Sequence, residues 1–178
     1  MFTRRSCQRV AVAIALWCFG LAYTPSGSAV DLRDWGRKFP TAERFVVLSQ
    51  FGNQAVLDKE TQLVWQRAPT SNVAAWQVAR GECGRLEIGG RRGWRLPSVH
   101  ELSSLTRPDA PIGVLSLPAG HPFANVQLAP YWTADLFVIP GSLPTSAYVI
   151  VFNGPAIIST AGAAGSIHFW CVRASGEF

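Results

Sequence analysis

The stretch that decides the fold reads Gly93-Trp94-Arg95-Leu96-Pro97-Ser98-Val99-His100-Glu101-Leu102. Ser98 and Glu101 have the spacing of a capping box, in which the serine hydroxyl accepts from an amide of the first turn and the glutamate carboxylate accepts from the amide of the cap residue. Leu102 and Leu105 continue a buried face, and Pro108 forbids a long continuation. The stretch therefore predicts a short helix over residues 98–106.

A helix is also predicted upstream, over residues 71–84. Four residues recur there at spacings of three, three and four, which places them on one helical face: Val73, Trp76, Ala79 and Cys83. Ser71 or Asn72 can cap the start of this helix. Cys83 would then lie in its last turn and point inward.

Short apolar runs punctuated by Gly, Asn and Asp surround the two helices and predict strands. They cover residues 45–48, 55–57, 63–65, 131–134, 147–152, 156–159 and 167–173. Asn153-Gly154 is the strongest hairpin signal, whereas residues 107–130 form one long loop of the kind that often carries function. No internal repeat or linker interrupts residues 44–174, so they are predicted to form one α+β domain, after an irregular lead-in at 30–43 and before a tail at 175–178.

The N-terminal residues have the pattern of a secretory signal peptide over residues 1–29. Arg4, Arg5 and Arg9 precede a short apolar stretch, and small residues precede the predicted cleavage after Ala29. We expect an exported protein, periplasmic or extracellular, with no stable membrane insertion after cleavage. A twin-arginine signal and acylation at Cys18 are weaker alternatives.

Composition and charge exclude several classes of protein. The chain of 178 residues is 48% hydrophobic, which excludes a disordered chain. The formal charge of +5 includes the three arginines of the signal peptide, so the remaining chain carries only +2. Nucleic acid is therefore not an expected partner.

Cys83 and Cys171 are the cysteines that remain after signal cleavage. An even pair in an oxidising compartment predicts one disulfide. A free catalytic or metal-binding thiol is the alternative, although neither a C-x-x-C motif nor a Cys/His spacing is present.

Several blocks, in this order, resemble the Legionella collagen-like protein C-terminal domain family, a domain of unknown function. The blocks are Leu63-Val64-Trp65-Gln66, the Trp76 helix ending at Cys83, Gly93-Trp94-Arg95-Leu96-Pro97 with Glu101-Leu102, Gly120-His121-Pro122-Phe123, Tyr131-Trp132-Thr133, Phe152-Asn153-Gly154 and Trp170-Cys171-Val172-Arg173. The resemblance implies a C-type-lectin-like fold, in which two short helices pack on a small, twisted, mainly antiparallel sheet with long loops. It gives these motif residues structural roles: Trp65, Trp76, Trp94, Arg95, Leu96, Pro97, Glu101, Leu102, Trp170 and Arg173.

The sequence departs from the calcium-dependent lectins, because it lacks the Glu-Pro-Asn, Gln-Pro-Asp and Trp-Asn-Asp tripeptides. A calcium-bridged sugar site therefore cannot be carried over. No spacing suggests a catalytic group, a metal site or a cofactor site, so none of these is expected.

The expected function is non-enzymatic recognition or adhesion, with a surface polymer (glycan) or a protein as ligand. The candidate ligand-binding residues flank the strand at 131–134, where long loops meet: His121, Asn125, Trp132 and Asp135. Most tryptophans are expected in the core, and Trp132 is the best candidate for a partly exposed platform. Six arginines at 80–107 offer a second surface, for an acidic glycan. The alternatives are an enzyme on a formylglycine-generating-enzyme-like scaffold and a structural subunit of an envelope assembly.

Overall fold

The computed structural model describes residues 39–155 and 157–176, all within the unit Trp35–Phe178. The predicted signal peptide, residues 30–38 of the lead-in and the last two residues of the tail lie outside the described residues. The helices are α1 (Thr41–Arg44), α2 (Trp76–Arg85) and α3 (Val99–Ser103). The strands are β1 (Phe45–Leu48), β2 (Ala55–Asp58), β3 (Leu63–Gln66), β4 (Val73–Ala74), β5 (Pro130–Phe137), β6 (Ser146–Val151), β7 (Ile157–Gly162), β8 (Ile167–His168) and β9 (Val172–Ala174).

Two sheets form the framework. The first has the order β1-β2-β3-β9 and is antiparallel throughout. The second has the order β4-β8-β5-β6-β7 and is antiparallel except for the parallel contact between β5 and β8. The short helices and these sheets confirm the predicted α+β class, whereas likeness to C-type lectins stays a prediction.

The C-terminal strand predicted over residues 167–173 is divided between the two sheets. β8 pairs with β4 and β5 in the second sheet, and β9 pairs with β3 in the first. Between them Phe169, Trp170 and Cys171 are buried. Their side chains fill the core where the chain crosses from one sheet to the other, so a continuous strand in one sheet is not formed.

The helix α2 starts later than predicted. Val73 lies in β4 with 48% of its surface exposed, and Ala75 precedes the helix without a side-chain cap. The amide of Trp76 instead donates to the carbonyl of Ala163, 2.9 Å away, so a tertiary contact replaces the predicted polar cap. The predicted inward face of Trp76, Ala79 and Cys83 is buried.

The capping box of α3 is confirmed. The Glu101 amide donates to Ser98 Oγ at 3.1 Å, and the Ser98 amide donates to Glu101 Oε2 at 2.8 Å. The helix ends at Ser103, three residues before the predicted end. A further difference is α1, which occupies the last residues of the lead-in that was expected to be irregular.

Large aromatic rings dominate the core. Trp65, Trp132 and Trp170 are fully buried, and Trp94 is only 2% exposed. The rings of Trp65 and Trp170 meet edge to face with centroids 5.6 Å apart, a favoured aromatic geometry. The other motif residues predicted to be structural divide into two groups. Arg95 lies at the surface and pairs with the half-buried Glu101. The other five are buried: Trp76, Leu96, Pro97, Leu102 and Arg173.

The predicted hairpin joins β6 to β7 through a connection longer than a two-residue turn. The Asn153 side chain accepts a 2.8 Å hydrogen bond from the Gly113 amide. Gly154 has φ +86°, and a Cβ there would lie 2.9 Å from the Ile112 Cα. Glycine is therefore needed because the long loop packs directly on this connection.

Among the described residues, no helix is long and apolar enough to cross a membrane.

Candidate functional site

Trp132 is fully buried, so the expectation of a partly exposed platform is wrong. Its strand β5 lies inside the second sheet, between β8 and β6. The ring enters the core, and its Nε1–H donates to the carbonyl of Ala74 at 2.8 Å. No face of this ring is open to a ligand.

Asp135 acts on α3. Its Oδ2 accepts from the amide of Val99 at 2.6 Å, at the first residue of the helix. A carboxylate at a helix N-terminus satisfies an orphan amide and interacts favourably with the helix dipole. The structure therefore gives Asp135 a capping role that joins β5 to α3.

His121 and Asn125 hold the long loop in place. The Phe123 amide donates to His121 Nδ1 at 3.2 Å, and the two rings stack with centroids 5.8 Å apart. Asn125, at φ +58°, donates from Nδ2 to the carbonyl of Pro69 at 2.7 Å. Partial burial lowers the pKa of His121, because the charged imidazolium is less well solvated there. These contacts fit loop anchoring, and they place the loop beside the residues that follow β3.

Half of the six arginines in the segment at 80–107 are paired with carboxylates. Three of its arginines form ion pairs at 2.7 Å: Arg85 with Glu82, Arg92 with Glu87, and Arg95 with Glu101. Of the others, Arg91 lies over the Phe51 ring and donates to the Gln50 carbonyl at 2.7 Å. Arg80, Arg91 and Arg107 have no carboxylate partner among the described residues, so the segment keeps a net charge of +3 and the basic surface for acidic glycans stays a prediction.

A groove lies where the end of β3 faces the C-terminal end of α2. It consists of two adjoining pockets of about 330 and 350 Å³ that share Gln66 and Leu86. We call it the Gln66–Leu86 groove. The first pocket is lined by Asn53, Gln54, Gln66, Arg67, Ala68, Leu86, Glu87, Ile88 and Ala124. The second is lined by Gln66, Thr70, Asn72, Val73, Ala74, Val78, Glu82, Leu86, Phe169 and Cys171.

Arg67 organises the first pocket. Its Nε donates to the Pro122 carbonyl and its Nη1 to the Asn53 carbonyl, both at 3.2 Å. Its backbone donates to the Gln54 carbonyl at 2.8 Å and accepts from the Ala124 amide at 2.9 Å. One residue thus joins the turn before β2, the end of β3 and the long loop into one wall.

The disulfide and α2 form the second wall. Cys83 in α2 is bonded to Cys171, with Cα atoms 5.4 Å apart, which confirms the predicted pairing. The bond holds α2 against the chain that leaves β8, so the spacing between Leu86 and Gln66 cannot widen freely. A covalently braced groove loses little conformational entropy when a ligand binds.

Four side-chain amides in the groove make no intramolecular hydrogen bond with the described residues: Asn53, Gln54, Gln66 and Asn72. The backbone of Gln66 is in contrast fully engaged, because its amide donates to the Cys171 carbonyl and its carbonyl accepts from Trp170 Nε1. Each amide side chain offers two donors and one acceptor oxygen. The apolar side chains of Val78, Leu86 and Phe169 line the second pocket together with Gln66 and Asn72.

Among residues 39–155 and 157–176, no group of three or more His, Cys, Asp and Glu side chains converges as metal ligands would. The sequence pattern does not predict the groove, because its amides lie in turns and at a strand end with no common spacing. The one signal in the sequence is that several Asn and Gln residues occur within a short stretch and follow neither helical nor strand periodicity: Asn53, Gln54, Gln66 and Asn72. Only their convergence distinguishes them from ordinary turn residues.

The family model described as Lcl C-terminal domain matches residues 54–173, which is about two thirds of the chain and includes every residue that lines the two pockets except Asn53. No curated protein and no solved structure matches the chain.

Proposed function

The chain belongs to the Lcl C-terminal domain family, and from that premise we propose that it is an exported, non-enzymatic recognition module. Its ligand is a neutral glycan of a surface polymer, and the Gln66–Leu86 groove is its binding site. The N-terminal pattern of the sequence supports export, and the contents of the groove support the glycan.

The observation that carries the proposal is the set of four unengaged amides that line the groove together with apolar side chains. Sugar hydroxyls both donate and accept hydrogen bonds, and side-chain amides match them in both roles. The C–H faces of a sugar ring pack on apolar side chains such as Leu86. Binding pockets generally combine apolar lining with a few polar groups that orient the ligand.

Charge favours a neutral glycan over an acidic one. The groove contains one arginine, Arg67, and two glutamates, Glu82 and Glu87. Each glutamate is paired with an exposed arginine outside the groove lining. A sulfated or carboxylated polymer would need an excess of unpaired basic side chains, which the lining of the groove does not provide.

The disulfide supports a non-enzymatic role. The alternative enzyme scaffold needs reactive cysteines, and Cys83 and Cys171 are bonded to each other. A disulfide sulfur is not a thiolate nucleophile. The bond instead fixes α2 to the segment that contains Cys171, as expected for a preformed binding site.

Binding of the full-length chain to an array of neutral, sulfated and carboxylated polysaccharides tests the proposal. We expect retention on a neutral polysaccharide, and an affinity about tenfold lower for Gln66→Ala because a buried hydrogen bond to the ligand is lost. Gln77→Ala is the matched control, since this exposed amide of α2 does not line the groove. Retention only on acidic polymers, or equal affinity for the two variants, would overturn the assignment.

A further inference from the structure

The strands β6 and β7 and the last two residues of β5 carry no charged side chain. Residues 136–172 contain no Asp, Glu, Lys or Arg. Several large apolar side chains in this stretch are exposed: Phe137, Val138, Ile139, Leu143, Ile157 and Ile158. Single exposed apolar residues are ordinary, but a concentration of them without charges marks an interaction surface.

The strand β7 forms the outer edge of the second sheet. It pairs with β6 over six consecutive positions without a register shift. Natural edge strands are usually protected by a charged side chain, a proline or a bulge. Its sequence, Ile157-Ile158-Ser159-Thr160-Ala161-Gly162, has none of these. The strand is exposed along most of its length on both faces.

The hydrogen-bonding pattern between β6 and β7 determines which backbone groups of β7 point to the free edge of the sheet. The Ala163 amide donates to the Thr145 carbonyl, which identifies 145 and 163 as a hydrogen-bonded pair. Hydrogen-bonded and non-bonded pairs alternate in an antiparallel ladder. The amides and carbonyls of Ile158 and Thr160 therefore point away from β6, and within the described residues they have no backbone partner.

We propose that β7 pairs antiparallel with β7 of a second copy of this chain, around a two-fold axis at Ser159. Ile158 of each copy then lies opposite Thr160 of the other, and these two pairs exchange four backbone hydrogen bonds. On the opposite face Ile157 meets Ala161 of the second copy, and Ser159 meets itself.

The occupant is a second copy because the strand is complementary to itself. A two-fold axis brings each residue near the axis close to its own counterpart, so a charge there would repel its copy. β7 and the neighbouring hairpin carry no charge. The small side chain of Ala161 also leaves room for Ile157 of the partner, while Ile158 of the partner lies opposite Thr160 on the other face. The pairing extends the five-stranded sheet across the dimer.

The mass in solution is the first test, measured by light scattering on the full-length chain in a Cys7→Ser, Cys18→Ser background. We expect a dimer for the parent and a monomer for Ile158→Lys. Leu128→Lys is the matched control, since Leu128 is 51% exposed and Ile158 is 56% exposed. The proposal is wrong if the parent is a monomer at about 100 µM, where even weak homodimers form, or if it is a trimer. It is also wrong if Ile158→Lys and Leu128→Lys dissociate the dimer to the same extent.

Disulfide trapping tests the register and does not depend on the folding of the lysine variant. Ser159→Cys places two Cα atoms about 4.5 Å apart across the axis, as in a non-hydrogen-bonded pair. In Thr160→Cys the two cysteines are staggered by about 7 Å along the strands, and the total separation exceeds the ~7 Å Cα limit of a disulfide. We expect covalent dimers from Ser159→Cys and at least tenfold fewer from Thr160→Cys. Equal yields, or none from either, would contradict the pairing.

Discussion

Cys83, in the last turn of α2, is bonded to Cys171 at the point where the chain passes from the second sheet to the first. Their separation of 88 residues makes this bond a constraint on most of the described chain. It also joins the two walls of the Gln66–Leu86 groove. Stability and binding are therefore both expected to depend on it.

The first prediction concerns this bond. Replacing both cysteines by serine should lower the free energy of unfolding by up to about 4–5 kcal/mol, because the unfolded chain regains the entropy of a long loop. Urea unfolding measures the loss. Thiol titration of the unfolded Cys7→Ser, Cys18→Ser chain should detect no free thiol, and two reactive thiols would contradict the disulfide.

Trp132 provides the second prediction. Trp132→Ala should cost about 3–5 kcal/mol of stability, the usual range for a buried tryptophan that leaves a cavity. Phe137→Ala is the control on the same strand, since this ring is 36% exposed and should cost much less. A loss below about 1 kcal/mol for Trp132→Ala would mean that the ring is not packed in the core.

The buried ion pair of Arg44 and Asp58 gives the third prediction. The guanidinium donates to both Asp58 oxygens, at 2.9 and 2.7 Å, and also to the Ser104 carbonyl at 2.8 Å. Asp58→Ala should destabilise the fold by up to about 3–5 kcal/mol, because it removes the bidentate partner of a buried charge and leaves Arg44 with Glu60, whose Oε2 lies 3.0 Å from Nη1. Glu82→Ala breaks the exposed pair with Arg85 and should cost less than about 1 kcal/mol. Similar losses in thermal unfolding would refute the distinction.

The fourth prediction is a pH dependence at Glu101. Burial disfavours its charged form, but hydrogen bonds from Arg95 and from the Ser98 amide outweigh this and lower its pKa below 4.5. The folded state therefore favours the carboxylate, and its contribution to stability is present above about pH 4.5 and lost as pH falls through the lower folded pKa.

Glu101→Gln tests this dependence. The parent should be more stable than the variant at pH 7, and the difference should shrink as the pH falls below 4.5. Glu87→Gln is the control, since Glu87 is exposed and paired with Arg92 outside the capping box. A difference that is constant from pH 7 to pH 3 would show that ionisation of Glu101 does not contribute.

The sequence by itself determined the features that depend on a few neighbouring residues or on composition. The capping box of Ser98 and Glu101 is a contact over three residues, so its pattern is sufficient to place α3. The α+β class follows from short apolar runs, and the disulfide follows from an even pair of cysteines. The burial of Trp94 follows from the need of a small core for large rings.

Tertiary structure decided the features that depend on which distant segments meet. The run at 131–134 predicts a strand, but only its place between β8 and β6 determines that Tyr131, Trp132 and Thr133 are all buried. Residues 167–173 form one apolar run, and the two sheets divide it because each offers a separate edge for pairing. The four amides of the groove come from three separate segments, and their side chains converge only because Arg67 and the disulfide hold those segments together. The conformational propensity of a short segment does not predict which distant segments come into contact. Those contacts are stabilised by burial and hydrogen bonds between residues far apart in the chain.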